Sequence, residues 1–313
     1  MIKSARLARL AMKLWEAEPD PGDLALAEIF KTDQFRRAEP ARRREIMLAS
    51  ARFRHEYELR YPFSRYFPVD VRPFLAGKEV LDLGSFTGGR SVAWYQAYGL
   101  RRVVGVDVAP EFIEAAETFA AQHGAEAEFH LAVGERLPFE DDRFEAVATF
   151  DVFEHVADLS QVMSETFRVL KPGGVLVAVF PQYMNPFEHH LGMVTRLPGV
   201  QWLFDSGAIN EAYREILRER GERAAWYAHE FQPWERLHTI NGTSIGEFEE
   251  IVRERPWETV YQDYMVLLTT TRPIMARPRL KRALEGLRPL LGVPWIRERL
   301  ADRISVILRK PTG

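Results

Sequence analysis

The chain has 313 residues, 46% hydrophobic and 28% charged, close to the average of globular domains, so a packed core is expected. Lys and Arg total 42 against 45 Asp and Glu, a net charge of -3. This balance argues against nucleic acid as the main partner, because phosphate binding usually needs a basic excess. The absence of cysteine excludes disulfides, thiolate metal sites and cysteine nucleophiles. It is compatible with the cytoplasm, where we expect the protein.

The N-terminal residues 1–15 mix basic and apolar positions. Their basic residues interrupt the apolar stretch that a secretory signal requires, and no window of about 18 apolar residues predicts a transmembrane helix. We interpret the segment as an amphipathic helix docked on the protein's own body, with membrane-surface or partner contact as the alternative. Its apolar positions are Ile2, Leu7, Leu10, Met12 and Leu14.

Residues 1–75 are predicted to form an N-terminal helical cap that ends near Pro62, Pro68 and Pro73. The cap contains a basic stretch, which we interpret as a solvated helix face. A contact with a phosphorylated or carboxylated acceptor is the alternative. The stretch comprises Arg36, Arg37, Arg42, Arg43 and Arg44.

From residue 79 onwards, short β-branched runs alternate with amphipathic helical segments. This alternation predicts a parallel, doubly wound α/β sheet covered on both faces, within a core of residues 76–313. A helical, aromatic insertion is expected at about 182–238, beside the acceptor site, and a second helical insertion at about 272–302. Thr243 or Ser244 is expected to cap the helix between them.

A glycine-containing turn follows the first predicted strand, within residues 80–89. Ligands of open α/β sheets bind at such turns, and glycine lets them approach the backbone closely. Phe86 stands where a dinucleotide phosphate cradle would need glycine. Asp82 adds negative charge, which suits an ammonium group better than a phosphate.

Asp107 ends the second predicted strand, residues 103–107. A carboxylate at this place accepts hydrogen bonds from both hydroxyls of an unphosphorylated ribose. Together with the first turn, it predicts an adenosine ligand that carries a cationic tail. An NAD-linked oxidoreductase is the weaker alternative, because the first turn lacks the full three-glycine fingerprint.

Three further segments follow in order: Leu137-Pro138-Phe139, Asp-Val-Phe-Glu-His-Val at 151–156 and Arg-Val-Leu-Lys-Pro-Gly-Gly at 168–174. With the first turn and Asp107, they make residues 79–181 resemble the class I S-adenosylmethionine-dependent methyltransferases. The resemblance implies a Rossmann-like, seven-stranded sheet with an antiparallel last strand. It also implies S-adenosylmethionine as the cofactor and S-adenosylhomocysteine as its product.

The resemblance assigns the cofactor contacts to four loops. The positions are Asp82, Gly84, Phe86 and Gly88 in the first turn, Asp107 and Val108 after the second strand, Val133, Gly134 and Glu135 after the third, and Phe150 and Asp151 after the fourth. Phe86 departs from the family's glycine, so the turn should have a different shape or a ring facing the ligand. Val133 stands where many members bind the adenine amino group through aspartate. The backbone of Val133 and Gly134, or the Glu135 side chain, would then take that role.

A hydroxyl acceptor must lose its proton during methyl transfer, so a base is expected near the cofactor. His155, His189 and His190 are the predicted catalytic residues, with Glu188 and Asp151 as further candidates. The alternative is that His155 packs against the sheet at a helix start and that the other two are surface or structural histidines. The same five residues could hold a divalent ion, but no spacing among them fixes a metal geometry, and no metal is predicted.

These observations predict a methyltransferase of small molecules, acting on a hydroxyl of a saccharide or another secondary metabolite. N- or C-methylation of a small molecule, or a cofactor-binding module without turnover, are the alternatives. A homodimer is compatible with the sequence.

Overall fold

The computed structural model describes residues 1–17, 35, 37–187, 191, 194–220, 241–269 and 277–312. The strands are β1 Glu79–Leu83, β2 Arg102–Asp107, β3 Ala127–Leu131, β4 Phe144–Phe150, β5 Leu170–Pro181, β6 Glu258–Val266 and β7 Ala301–Arg309. They form a seven-stranded sheet in the order β3-β2-β1-β4-β5-β7-β6. β1 to β5 are parallel, and β7 runs antiparallel to both β5 and β6. The predicted Rossmann-like sheet with an antiparallel last strand is confirmed.

Helices precede the sheet and connect its strands. Within the described residues the α-helices are α1 Ala5–Leu14, α2 Pro40–Arg60, α3 Arg72–Leu75, α4 Gly89–Tyr98, α5 Pro110–Gln122, α6 Leu159–Val169, α7 Val200–Leu203, α8 Ser206–Glu219, α9 Ile245–Arg253, α10 Pro278–Glu285 and α11 Pro294–Leu300. Short 3-10 helices cover Phe63–Tyr66 and Arg288–Gly292. No helix in these ranges is both long and apolar enough to cross a membrane.

The central strands carry apolar residues on both sides because both faces of the sheet are covered. Val80 and Val103 pack in the core on one face, with Trp94 of α4. Leu81 and Val104 pack in the core on the other face, which includes residues of α6 and α9. Successive side chains of a strand point to opposite faces, so both sets must be hydrophobic. The strand order reverses beside β1, and the carboxyl ends of β1 and β4 open the crevice where ligands of such sheets bind.

α1 docks on α8, as expected for an amphipathic helix that packs on its own protein. Ala8 and Met12, four residues apart, are fully buried in a small core shared with α8. The expected apolar surface was wrong in detail, because Leu7, Leu10 and Leu14 lie on the other side of the helix and are at least half exposed. The N-terminal helix, α7 and α8 therefore form one helical body.

α2 packs across the outer surface of α4 and α5. Gly89, the first residue of α4, is the closest point, since a Cβ there would lie 2.0 Å from the carbonyl oxygen of Ala51. In the basic stretch, Arg42 and Arg44 are exposed and pair with Glu45 and Glu114, as expected of a solvated face. Arg36 lies outside the described residues.

The connections after β5 and β6 carry the remaining helices. Ser244 caps α9 and forms a capping box with Glu247, which decides between the two candidate caps. The second helical insertion was predicted to end at about residue 302. It ends at Leu300, because β7 begins at Ala301. Much of the aromatic stretch, residues 221–240, lies outside the described residues.

Candidate active site

The turn between β1 and α4 needs glycine at two positions. Gly84 and Gly88 have φ values of 83° and 74°, a region that other residues adopt with strain. A Cβ on Gly84 would also lie 2.2 Å from Cγ2 of Val152, which follows β4. The turn and the loop after β4 therefore meet directly across the crevice, and only a glycine fits between them.

Phe86 adopts a positive φ of 49° at the centre of this turn, a conformation that costs roughly 1–3 kcal/mol for a non-glycine residue. Its ring packs edge-on against Phe112 of α5, with centroids 4.3 Å apart, and lies 5.4 Å from the guanidinium of Arg54. The ring thus points towards α2 and α5. The sequence predicted either a turn of different shape or a ring that faces the ligand. The first alternative describes Phe86, because its ring faces the helices.

Asp82 lies at the end of β1 and is buried, with 2% of its surface exposed. Its carboxylate accepts a hydrogen bond of 2.5 Å from the Ser91 hydroxyl. Burial raises the pKa of Asp82 to about 7, although Ser91 and Arg90 both favour the charged form. A cationic group brought into the crevice would lower this pKa and would be attracted by the resulting carboxylate.

Asp107 ends β2 beside the turn. Its carboxylate accepts hydrogen bonds of 2.7 Å from the backbone N–H groups of Phe86 and Val108. Burial raises the pKa of Asp107 to about 6, opposed by those two N–H groups and that of Ala109. The two hydrogen bonds fix the orientation of the carboxylate, and its remaining lone pairs can accept from ligand hydroxyls.

The loop after β3 lies beside Asp107, whose carbonyl accepts a hydrogen bond from Ala132 N–H at 2.9 Å. Val133 and Val108 expose 46% and 39% of their surface at this edge, which provides apolar area for a flat ring. The carboxylate of Glu135 accepts from the backbone N–H groups of Ala157 and Asp158, ahead of α6. This engagement leaves the backbone of Val133 and Gly134 as the better candidates for contacts to a base.

Phe150 ends β4 and Asp151 follows it, on the other side of the crevice. Phe150 is 8% exposed, and its ring lies 4.1 Å from the guanidinium of Arg90, whose Nη1 also donates to the Phe150 carbonyl. Asp151 has a positive φ of 58° and pairs with Arg303 of β7. Two guanidinium groups therefore flank the end of β4.

Sequence reasoning missed Arg90, Arg303 and Glu58. Glu58 of α2 is buried, pairs with Arg90 at 3.4 Å and accepts from the Trp94 indole. Arg303 lies opposite Pro181, at the end of β5. An arginine inside the apolar run of β7 was the available signal for Arg303. No local pattern indicates that α2 would supply a carboxylate to α4.

His155 lies in the turn that follows Val152, whose carbonyl accepts the His155 N–H at 2.8 Å. Its Nε2 is 3.7 Å from Oε1 of the buried Glu154. The turn precedes α6 by several residues, so His155 is not at the helix start. Glu188, His189 and His190 lie outside the described residues. In the described part of the chain, no three His, Asp or Glu side chains converge as metal ligands.

The part of the sequence that forms this edge matches a known protein family. The family described as "Methyltransferase domain" matches residues 81–178, which run from β1 to β5 and include each of the loops described above. Residues 81–178 are therefore identified as a methyltransferase domain. The domain spans the sheet edge that holds Asp82, Asp107 and Asp151, and α1, α2 and the segments after β5 lie outside the matched range.

The curated relatives that match this chain carry the names of different methyltransferases. Demethylmenaquinone methyltransferase of Thermus thermophilus is 34% identical over 129 residues, 41% of this chain and 58% of the relative. Norajmaline N-methyltransferase of Rauvolfia serpentina is 32% identical over 39% of this chain and 42% of its own. A ubiquinone biosynthesis O-methyltransferase of Brucella anthropi is 35% identical over 35% and 43%. The chain spans about half the length of the curated relatives it matches.

Proposed function

We propose that this protein binds S-adenosylmethionine at the carboxyl edge of β1, β2 and β4 and transfers its methyl group to a hydroxyl of a small molecule. The observation that carries the proposal is Asp107, a carboxylate held by two backbone N–H groups beside a glycine turn, within a matched methyltransferase domain. When bound, the cofactor supplies an activated methyl group on a sulfonium.

The residues present fit this cofactor. Asp107 would accept from the ribose hydroxyls, and Val108 and Val133 would flank the adenine with their exposed side chains. Asp82 would attract the ammonium group, and Arg90 or Arg303 would face the carboxylate of the methionine end. The buried hydroxyls of Ser85 and Thr87 have no hydrogen-bond partner among the described residues. Both hydroxyls are therefore available for hydrogen bonds to a ligand.

His155 is the proposed base. It is about one-third exposed, and its turn begins at Val152, the residue in contact with Gly84. The nearby Glu154 carboxylate would stabilise the imidazolium after the proton leaves the acceptor hydroxyl. His189 and His190 stay proposals for the same role, since both follow β5 in the sequence.

The acceptor is proposed to be a saccharide or another secondary metabolite. The names of the relatives include O- and N-methyltransferases and two quinone pathways, so the test must cover several acceptor classes. Transfer of a labelled methyl group to panels of sugars, phenols, ring-hydroxylated quinols and amines tests the proposal. Labelled product from a hydroxyl acceptor is expected. Binding of the cofactor without product from any class would favour a module without turnover, and product from amines alone would contradict the hydroxyl assignment.

His155→Gln tests the base. We expect kcat to fall by about 100-fold or more while the affinity for S-adenosylhomocysteine stays unchanged. His130→Gln is the matched control, because His130 lies on β3 and pairs with Glu128. An unchanged kcat in His155→Gln would remove His155 from the mechanism.

A further inference from the structure

The segment between β6 and β7 has an unusual charge and exposure. Residues 277–300 contain seven Arg or Lys and two Glu, a net charge of +5 in a chain whose total is -3. Large apolar side chains are exposed among these charges. They are Leu280 at 41%, Leu287 at 38%, Leu290 at 43%, Val293 at 38% and Trp295 at 66%. The combination of exposed apolar groups and excess positive charge is typical of surfaces that bind anionic bilayers.

α10 is amphipathic, yet its apolar side is not used in the fold. Leu280 and Leu284 are four residues apart, which places them on one side of the helix, and Leu287 follows just after the helix ends. No residue of α10 or α11 is buried. A helix of this kind normally hides its apolar side in the core, so this side remains available for another apolar environment.

The segment is held to the protein along its other side. Leu291 is buried in the main core, and ion pairs join Arg288 to Asp263 of β6 and Arg297 to Glu249 of α9. The remaining charges point outwards: Arg277, Arg279, Arg282 and Arg299 are exposed and have no ion pair among the described residues. The positive charge available to a partner is therefore distinct from the charge that the fold itself neutralises.

The segment lies at the same edge of the sheet as the candidate active site. β7 begins opposite the end of β5, where the register pairs Pro181 with Arg303. The Gln182 amide, directly after β5, donates to the carbonyls of Glu298 and Ala301. A flat partner on residues 277–300 would thus face the edge at which the parallel strands end.

We propose that residues 277–300 form a docking surface for the face of an anionic phospholipid bilayer. Arginine side chains bind the lipid phosphates, while Trp295 and the leucines enter the boundary between headgroups and acyl chains. Bilayers with anionic headgroups fit better than another protein because the available charges have one sign and the exposed apolar residues are interspersed among them over 24 residues. This inference is independent of the proposed chemistry.

Co-sedimentation of the full chain with lipid vesicles tests the proposal. Binding to phosphatidylcholine vesicles that contain phosphatidylglycerol is expected, with little binding to phosphatidylcholine alone and weaker binding as salt rises. The triple change Arg279→Glu, Arg282→Glu and Arg299→Glu should lower the partition coefficient by at least about 100-fold, and Trp295→Ser should lower it several-fold. All four positions are exposed, so folding should persist, and circular dichroism checks this.

The matched control carries the same charge change on α2, at the exposed Arg42, Arg52 and Arg60, and should bind vesicles nearly as the unchanged chain does. Absence of binding to anionic vesicles, or an equal loss in the control, would overturn the proposal. Loss of binding only on changing Leu7, Leu10 and Leu14 to Ser would assign the surface to α1 and also overturn it. A dimer in sedimentation velocity that Trp295→Ser dissociates would assign this face to a second copy of the chain.

Discussion

Two carboxylates, Asp82 and Asp107, lie at the ends of neighbouring strands, and burial raises the pKa of both. The folded protein keeps these acidic groups in an environment that disfavours their charge, at a cost in stability. Such a cost is common where a binding site supplies the compensating charge only with its ligand. The cationic end of S-adenosylmethionine would provide this compensation for Asp82.

The variant Asp82→Asn tests whether the buried carboxylate of Asp82 lowers the stability of the protein when it is charged. The pKa of about 7 in the folded protein lies above the ordinary aspartate value of 3.8, so the folded state binds this proton more tightly. The free energy of unfolding should therefore fall by up to about 3–4 kcal/mol as pH rises from about 4 to about 7. Asp82→Asn should lose this contribution, so that its Tm without ligand falls less with pH than that of the unchanged protein. Parallel Tm curves would contradict the account, and the exposed Asp70→Asn serves as a control.

Arg303 and Asp151 form a pair across β7 and β4, with 11% and 34% of their side chains exposed. Removing one partner leaves a partly buried charge without its counter-ion. We expect Arg303→Met and Asp151→Asn each to lower the free energy of unfolding, and the double variant to lose less than their sum. A coupling free energy of about 1–3 kcal/mol is expected from urea denaturation. Additive effects would show that the pair contributes nothing.

At the scale of elements, α2 reaches the site by packing on α4 and α5, and Gly89 of α4 is the closest point. Alanine normally stabilises a helix by about 1 kcal/mol relative to glycine. Here its Cβ would lie 2.0 Å from a backbone oxygen of α2, so the two helices must separate. Gly89→Ala should lower the free energy of unfolding by about 1–3 kcal/mol, measured in urea. Gly292→Ala, with open space around it, should change little, and equal stability of both variants would contradict this packing.

The elements of the sheet were predictable because their signals are local. β1 to β5 carry short apolar runs bounded by turns, and Asp82 and Asp107 lie at the ends of two of these strands. Contacts between distant segments leave no such signal. The docking of Ala8 and Met12 on α8, and the ion pair of Glu58 with Arg90, depend on which helix faces meet in three dimensions.

The lack of a local signal for contacts between distant segments also explains which predictions were wrong in detail. The sequence shows Leu7, Leu10 and Leu14 as apolar residues of α1, but the smaller Ala8 lies in the contact because it lets the helices approach closely. The orientation of the Phe86 ring depended on Phe112 and Arg54, which come from two other helices. Glu135 was a candidate for the adenine, and its carboxylate instead accepts hydrogen bonds ahead of α6.

At the scale of the whole molecule, one edge of the sheet gathers the candidate active site and the proposed docking surface. The loops of the methyltransferase domain, the helical body of α1 and α8, and the basic, apolar segment 277–300 are all connected to strand ends or to the chain after β5. The domain is where we propose the cofactor site, and the additions outside residues 81–178 are where the acceptor and any surface partner would be selected.

Titration calorimetry with S-adenosylhomocysteine tests the central claim most directly, using the unchanged protein and Asp107→Asn. Asparagine keeps an acceptor for the Phe86 N–H but removes the charge offered to the ribose, so the affinity should fall by about 10- to 100-fold. The unchanged protein should bind S-adenosylhomocysteine more tightly than reduced nicotinamide dinucleotide. Equal affinities in the two proteins, or tighter binding of the nicotinamide, would contradict the assignment of Asp107 and of the cofactor.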